Sequence, residues 1–119
     1  MANFEDLLVW QKSMDLVKEI YKITTALQAN ENYEIFSELR KTAISIPTNI
    51  AVGNSKGSAT DYIQFIRTAR GRLAVLDTQM IISMNLKFID KEMYEALNLK
   101  VTEISKMLNG LINYLNTIK

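Results

Sequence analysis

Ser45-Ile-Pro-Thr-Asn-Ile-Ala-Val-Gly-Asn-Ser-Lys-Gly57 holds the only proline of the chain and two of its four glycines. A proline inside a helix removes one backbone donor and sets its ring against the carbonyl four residues back, at a cost of roughly 3 kcal/mol. Whether this stretch is helix or loop decides how many helices the chain has. Ile35, Leu39, Ala43, Ile46, Ile50 and Gly53 recur every three or four residues straight through Pro47, and a break there should lose that phase. The spacing predicts one helix from about Glu34 to Asn54, kinked at Pro47, with Ser45, Thr48 or a water serving the freed carbonyl. The alternative is a break at Ile46 with Pro47 opening a new helix, a position proline favours. Ile46 would be a poor N-cap for it.

Upstream, Leu7, Trp10, Met14, Val17, Tyr21, Thr24 and Leu27 step by three or four, and Leu8, Leu16, Ile20 and Ile23 widen the stripe. They predict a core-facing helix from about Asp6 to Gln28. Glu5 and Asp6 suit its positive end, and Phe4 is placed to pack back on the first turn. Ala29-Asn30-Glu31-Asn32 reads as a polar turn. Downstream, Gly53 to Gly57 supplies an exit, and Ser58-Ala-Thr-Asp61 is a capping signal. The third helix is expected over about Ala59 to Leu86, with Tyr62, Phe65, Ile66, Ala69, Leu73, Leu76, Met80 and Met84 as its stripe. Asp90 opens the last helix, whose apolar positions are Met93, Leu97, Val101, Ile104, Leu108, Leu111, Leu115 and Ile118.

Four amphipathic helices joined by short turns imply an all-α fold, an antiparallel up-down four-helix bundle formed by residues 1–119 as a single domain. With the hairpin tip near Gly57, Arg40 lies across from Val75 and Arg72 across from Ala43. Ile63, Ala74, Val75, Ile81 and Ile82 make the third helix broader than its stripe, and Met107 and Ile112 do the same for the fourth. That width fits either a thick core or a subunit interface.

Composition narrows the chemistry. The chain has no cysteine and no histidine, which removes disulfides, thiol nucleophiles, imidazole bases and most transition-metal sites. No cofactor, metal or small-molecule substrate is inferred. The N-terminus lacks a signal-peptide pattern and no apolar run is long enough for a membrane span, so a soluble cytoplasmic protein is expected. Asp15 with Glu19 and Glu92 with Glu95 are near neighbours on their helices, but both pairs sit among polar positions and read as solvent-facing. Gly53 to Gly57 lacks the spacing of a phosphate loop.

Net charge is +1, yet residues 40–72 carry six basic residues, Arg40, Lys41, Lys56, Arg67, Arg70 and Arg72, against the single acid Asp61. Basic side chains on two neighbouring helices suit contacts to RNA or DNA phosphates, which position without specifying sequence. The plainer reading is a solvated face beside acidic helices.

Phe4-Glu-Asp-Leu-Leu-Val-Trp-Gln-Lys-Ser13, Leu39-Arg-Lys-Thr-Ala-Ile-Ser-Ile-Pro-Thr-Asn-Ile-Ala-Val-Gly53 and Ala69-Arg-Gly-Arg-Leu-Ala-Val-Leu-Asp-Thr-Gln79 resemble the bacterial 23S rRNA intervening-sequence proteins. The resemblance spans essentially the whole chain. It implies a four-helix subunit that assembles into a ring, typically a pentamer, and a kinship with retroelement accessory barrels that bind nucleic acid and a reverse transcriptase. Where that family usually has glutamates, this chain has Val52 and Val75, and Arg72 stands in place of a serine. The expectation is therefore a non-enzymatic, self-assembling bundle with weak, sequence-nonspecific nucleic-acid contact through the six basic residues. A protein-interaction adaptor with no nucleic-acid role is the alternative.

Overall fold

The computed structural model describes residues 3–28 and 34–119; the polar turn expected at Ala29-Asn30-Glu31-Asn32 lies outside them. Four helices make up the fold: α1 (Leu8–Gln28), α2 (Glu34–Ser55), α3 (Ala59–Asn85) and α4 (Lys91–Ile118). Among the described residues there is no strand. The molecule measures 49 × 19 × 19 Å, about two helix diameters across in both short directions.

Local chemistry sets the helix ends. Ser58 Oγ accepts the Asp61 amide at 3.1 Å and the Asp90 carboxylate accepts the Met93 amide at 2.7 Å, so each caps the first turn of the helix that follows it. Gly57 takes φ +83° between α2 and α3, a left-handed conformation that costs glycine little. Lys87 takes φ +66° after α3, and the Phe88 amide returns to the Ser83 carbonyl at 2.8 Å. At the N-terminus the start is later than expected. Phe4–Asp6 form a separate 3-10 turn capped by Asn3, and Phe4 packs edge-on against Trp10, with centroids 5.3 Å apart.

The inward face of α1 also differs from the expected stripe. Val9, Ser13, Leu16, Ile20 and Thr24 are buried, whereas Leu8 and Tyr21 are exposed and Trp10, Met14 and Val17 are half-buried. The face is turned by about one residue, which brings Ser13 inward beside the expected Thr24. Ser13 and Thr24 tolerate the interior because each donates to a carbonyl one turn back, Val9 and Ile20 respectively, at 2.7 Å. A buried hydroxyl with its partner built in carries little desolvation penalty.

α2 runs unbroken through Pro47, so no second helix starts there. Its buried side is Phe36, Leu39, Thr42, Ala43, Ile46, Pro47, Ile50 and Gly53, which matches the expected phase except that Phe36 lies deeper than Ile35. Ser45 Oγ donates to the Thr42 carbonyl, Thr48 Oγ1 to Ile44 and Asn49 Nδ2 to Ser45. These serve carbonyls on either side of Ala43, whose own carbonyl is the one that a proline at position 47 deprives. The expectation that Ser45 or Thr48 would serve that carbonyl is thus corrected by one residue in each direction.

α3 packs most closely on α2. A Cβ built on Gly53 would lie 2.8 Å from Phe65 Cβ and 3.0 Å from the Tyr62 ring. Farther along the same seam Arg72 bonds Ser45 and Thr42 at 3.1 and 3.3 Å, flanking Ala43 as the hairpin register expects. Position numbers rise on one helix as they fall on the other, the pattern of antiparallel neighbours. Tyr62, Ile66, Ala69, Leu73, Leu76 and Met80 on α3 and Leu97, Val101, Ile104, Leu108 and Leu115 on α4 complete the core. Ile112 is buried where Leu111 was expected to be, and Ile118 is exposed.

The seam at Gly53 gives a direct test. Alanine is the better helix former, yet its Cβ has no room at Gly53, while at Gly110 nothing lies within 4 Å. Gly53→Ala is expected to lower stability by about 1–2 kcal/mol, overpacking outweighing propensity. Gly110→Ala is expected to raise it by roughly 0.5–1 kcal/mol. Urea midpoints measured at constant slope check both signs.

Candidate functional site

The six basic residues singled out in the sequence go to different places. Arg40 reaches α1: its Nε donates to Thr24 Oγ1 at 2.8 Å, its Nη2 to Thr25 Oγ1 at 3.1 Å, and its guanidinium lies 4.9 Å from the Tyr21 ring centroid. It does not turn toward Val75. Arg72 is half-buried in the α2–α3 seam on Ser45 and Thr42. Arg70 points the other way, donating to Asn109 Oδ1 on α4 at 2.9 Å. The separation follows from the helix itself, since positions two apart lie about 200° around its axis. Lys41 stands exposed with Glu38 at 3.8 Å, Lys56 lies 5.4 Å from the Phe65 ring centroid, and Arg67 is exposed. The structure therefore spreads these charges around the bundle and does not gather all six on one surface.

A residue that the sequence did not bring forward joins one of them. Lys106 of α4 lines a shallow groove with Arg70, Ala74, Asp77, Thr102 and Ser105, about 330 Å³ in volume. Lys106 is an isolated charge along the chain, and only the packing of α4 on α3 brings it beside Arg70. At the far end of this groove Asp77 accepts from Tyr94 Oη at 2.9 Å and Asn98 Nδ2 at 3.0 Å. Burial, then the hydrogen bond to Asp77 and its charge, push the Tyr94 phenol above its ordinary range, so Tyr94 stays a neutral donor.

The other notable surface is apolar. Phe4, Trp10, Met14 and Val17 face Ile44, Pro47, Thr48, Ala51 and Val52 across an open groove of about 370 Å³ between α1 and α2. No charged residue lines it, and residues 42–55 contain none at all. Val52 and Val75, the two valines at the family's glutamate positions, are each 37% exposed. Val52 is on this groove and Val75 is on α3.

Among the described residues no group of three or more His, Cys, Asp or Glu is placed to hold a metal ion. The closest ion pair joins Lys12 to Glu103 across α1 and α4 at 2.8 Å. Hydrogen bonding and then the charge of each partner raise the Lys12 pKa and lower that of Glu103, which favours the charged form of both and leaves neither as an acid or base near neutrality. Among the described residues no helix is long and apolar enough to cross a membrane.

A four-helix bundle with an uncharged groove and dispersed arginines defines the class as a small all-α protein. Residues 5–110 match the model of the 23S rRNA-intervening sequence protein family, and the chain belongs to that family. It is also similar in fold to a solved protein of unknown function from the S23 ribosomal protein family of Bacteroides thetaiotaomicron VPI-5482, with a TM-score of 0.79 and 24% identity over 88% of this chain and 98% of that one. None of the curated proteins matches.

Arg40 and Arg67 separate a fastening role from a free one. Arg40→Ala removes charge-assisted bonds to a buried hydroxyl and is expected to cost about 1–2 kcal/mol of stability. Arg67→Ala is expected to change stability by less than about 0.5 kcal/mol. Thermal unfolding of the two variants side by side checks the contrast.

Proposed function

We propose that this protein is a non-enzymatic, self-assembling helical bundle, and that its working surface is a contact between proteins. The observation that carries this reading is the uncharged groove between α1 and α2, open to solvent with Trp10 and Pro47 in its lining. Interface cores are depleted of charge and enriched in aromatic and Met side chains, as this groove is. Left open, such a surface would be unfavourably hydrated. A ring of several copies, the arrangement the family resemblance implies, would cover one groove per subunit. Light scattering behind a sizing column is expected to give a mass that is a multiple of 13.6 kDa. A mass of one chain at micromolar concentration would overturn the proposal.

Nucleic-acid contact is a second reading, and one observation favours it: Arg70 and Lys106 share the α3–α4 groove, with exposed Arg67 one turn from Arg70. Arg40 and Arg72 are committed to hydroxyls within the bundle and drop out of this reading. The contact would be to phosphates, nonspecific and salt-sensitive. Retention of a labelled RNA on a filter at low salt is expected to fall at least several-fold in the double variant Arg67→Glu, Arg70→Glu. Unchanged retention removes nucleic acid from the function.

A further inference from the structure

The uncharged groove has a counterpart on the same chain. Gly71, Val75, Thr78, Ile82 and Leu86 follow one another at spacings of four, three, four and four along α3. All five are exposed, Val75, Ile82 and Leu86 by 37%, 42% and 56%. The only charge in residues 73–86 is Asp77, and it is turned toward Tyr94 and Asn98 of α4. This outer face of α3 is therefore an apolar ridge, and a face of that kind on a helix calls for a cover. Nothing lies within 4 Å of where a Gly71 side chain would begin, so another backbone can approach closely there.

We propose that the α3 ridge of one copy seats in the α1–α2 groove of the next. This deepens the self-assembly proposed above and rests on it. Three features match the two surfaces. One projects and the other is recessed, and both lack charge. The middle of the ridge, Val75 to Ile82, spans about 10 Å along its helix, and the α2 wall of the groove, Ile44 to Val52, about 12 Å. At one end of each patch the bordering charges are of opposite sign. Glu5 and Asp6 follow Phe4 at the groove, Lys87 follows Leu86 at the end of the ridge, and all three are exposed. Among the described residues none of the three has an ion pair. Their attraction orients the ridge with Leu86 toward Phe4.

The two patches are different surfaces of one subunit, so the contact is head-to-tail and propagates until the rotation closes it into a ring. That geometry makes a demand that a two-fold contact would not. Ile82→Lys spoils the ridge and leaves the groove, and Ile44→Lys spoils the groove and leaves the ridge. Both side chains are already substantially exposed, at 42% and 43%, so the bundle tolerates the changes. Each variant alone is expected to run as a single chain of 13.6 kDa with its helical circular dichroism intact. Mixed in equal amounts, they are expected to form a complex of twice that mass, through one intact ridge in one intact groove. Val75→Lys replaces Ile82→Lys if the latter loses its helical signal.

The outcomes are separable by mass alone. Wild-type protein running as a single chain overturns self-assembly and this inference together. Wild type assembled, with either variant still assembled or with the mixture still monomeric, overturns only the ridge-in-groove contact.

Discussion

The close approach of α2 and α3 at Gly53 is the constraint on which the rest of the structure depends. With 2.8 Å between the built Cβ and Phe65 Cβ, no side chain fits, and the two helices meet backbone to side chain without a spacer. The approach lets Tyr62 be buried while its hydroxyl still accepts from Asn54 Nδ2 at 3.2 Å, and burial raises its pKa. One short turn through Gly57 then sets the register of the whole hairpin. Ala43, Ala69 and Leu73 are buried along it, and Arg72 lands between Thr42 and Ser45.

Charge is handled in two ways. Arg40 and Arg72 act as fasteners between neighbouring helices, each guanidinium spanning two hydroxyls. Arginine suits this task because its planar fork offers several donors and remains charged at any physiological pH. Such bonds orient the helices without requiring a buried carboxylate and its desolvation cost. The other strategy is removal. Residues 42–55 have no charge and residues 73–86 have one, so part of the outer surface on α2 and α3 is uncharged. Valine at 52 and 75 continues that pattern, at positions where a glutamate would place a charge in the groove or on the ridge.

Much of the architecture was legible along the chain. The unbroken phase from Ile35 to Gly53 correctly carried one helix across Pro47, and the capping chemistry at Ser58 and Asp90 located two helix starts. The α1 face was read about one residue off, although Leu16, Ile20 and Thr24 were placed on it, because periodicity weighs side chains by apolarity. Ser13 scores as polar, but a hydroxyl that bonds its own helix presents little more than a small apolar surface to a core. The candidate site was legible only as a list of residue types. Residues 70 and 72 are neighbours in sequence yet serve opposite seams, whereas Arg70 and Lys106 are distant in sequence and share a groove.

The sequence by itself determined that four helices form, where the last two are capped, and that neither thiol nor imidazole chemistry is available. These follow from local periodicity, local hydrogen bonding and composition, none of which requires knowing what lies across a seam. Only the tertiary structure decided which arginines are fasteners, which face of α1 turns inward, and that Phe4, Trp10 and Val17 enclose an uncharged groove with Ile44 and Val52. Each of these depends on the rotation of one helix about its axis relative to another. That rotation is set by how closely backbones approach at positions such as Gly53, which is a property of packing in three dimensions.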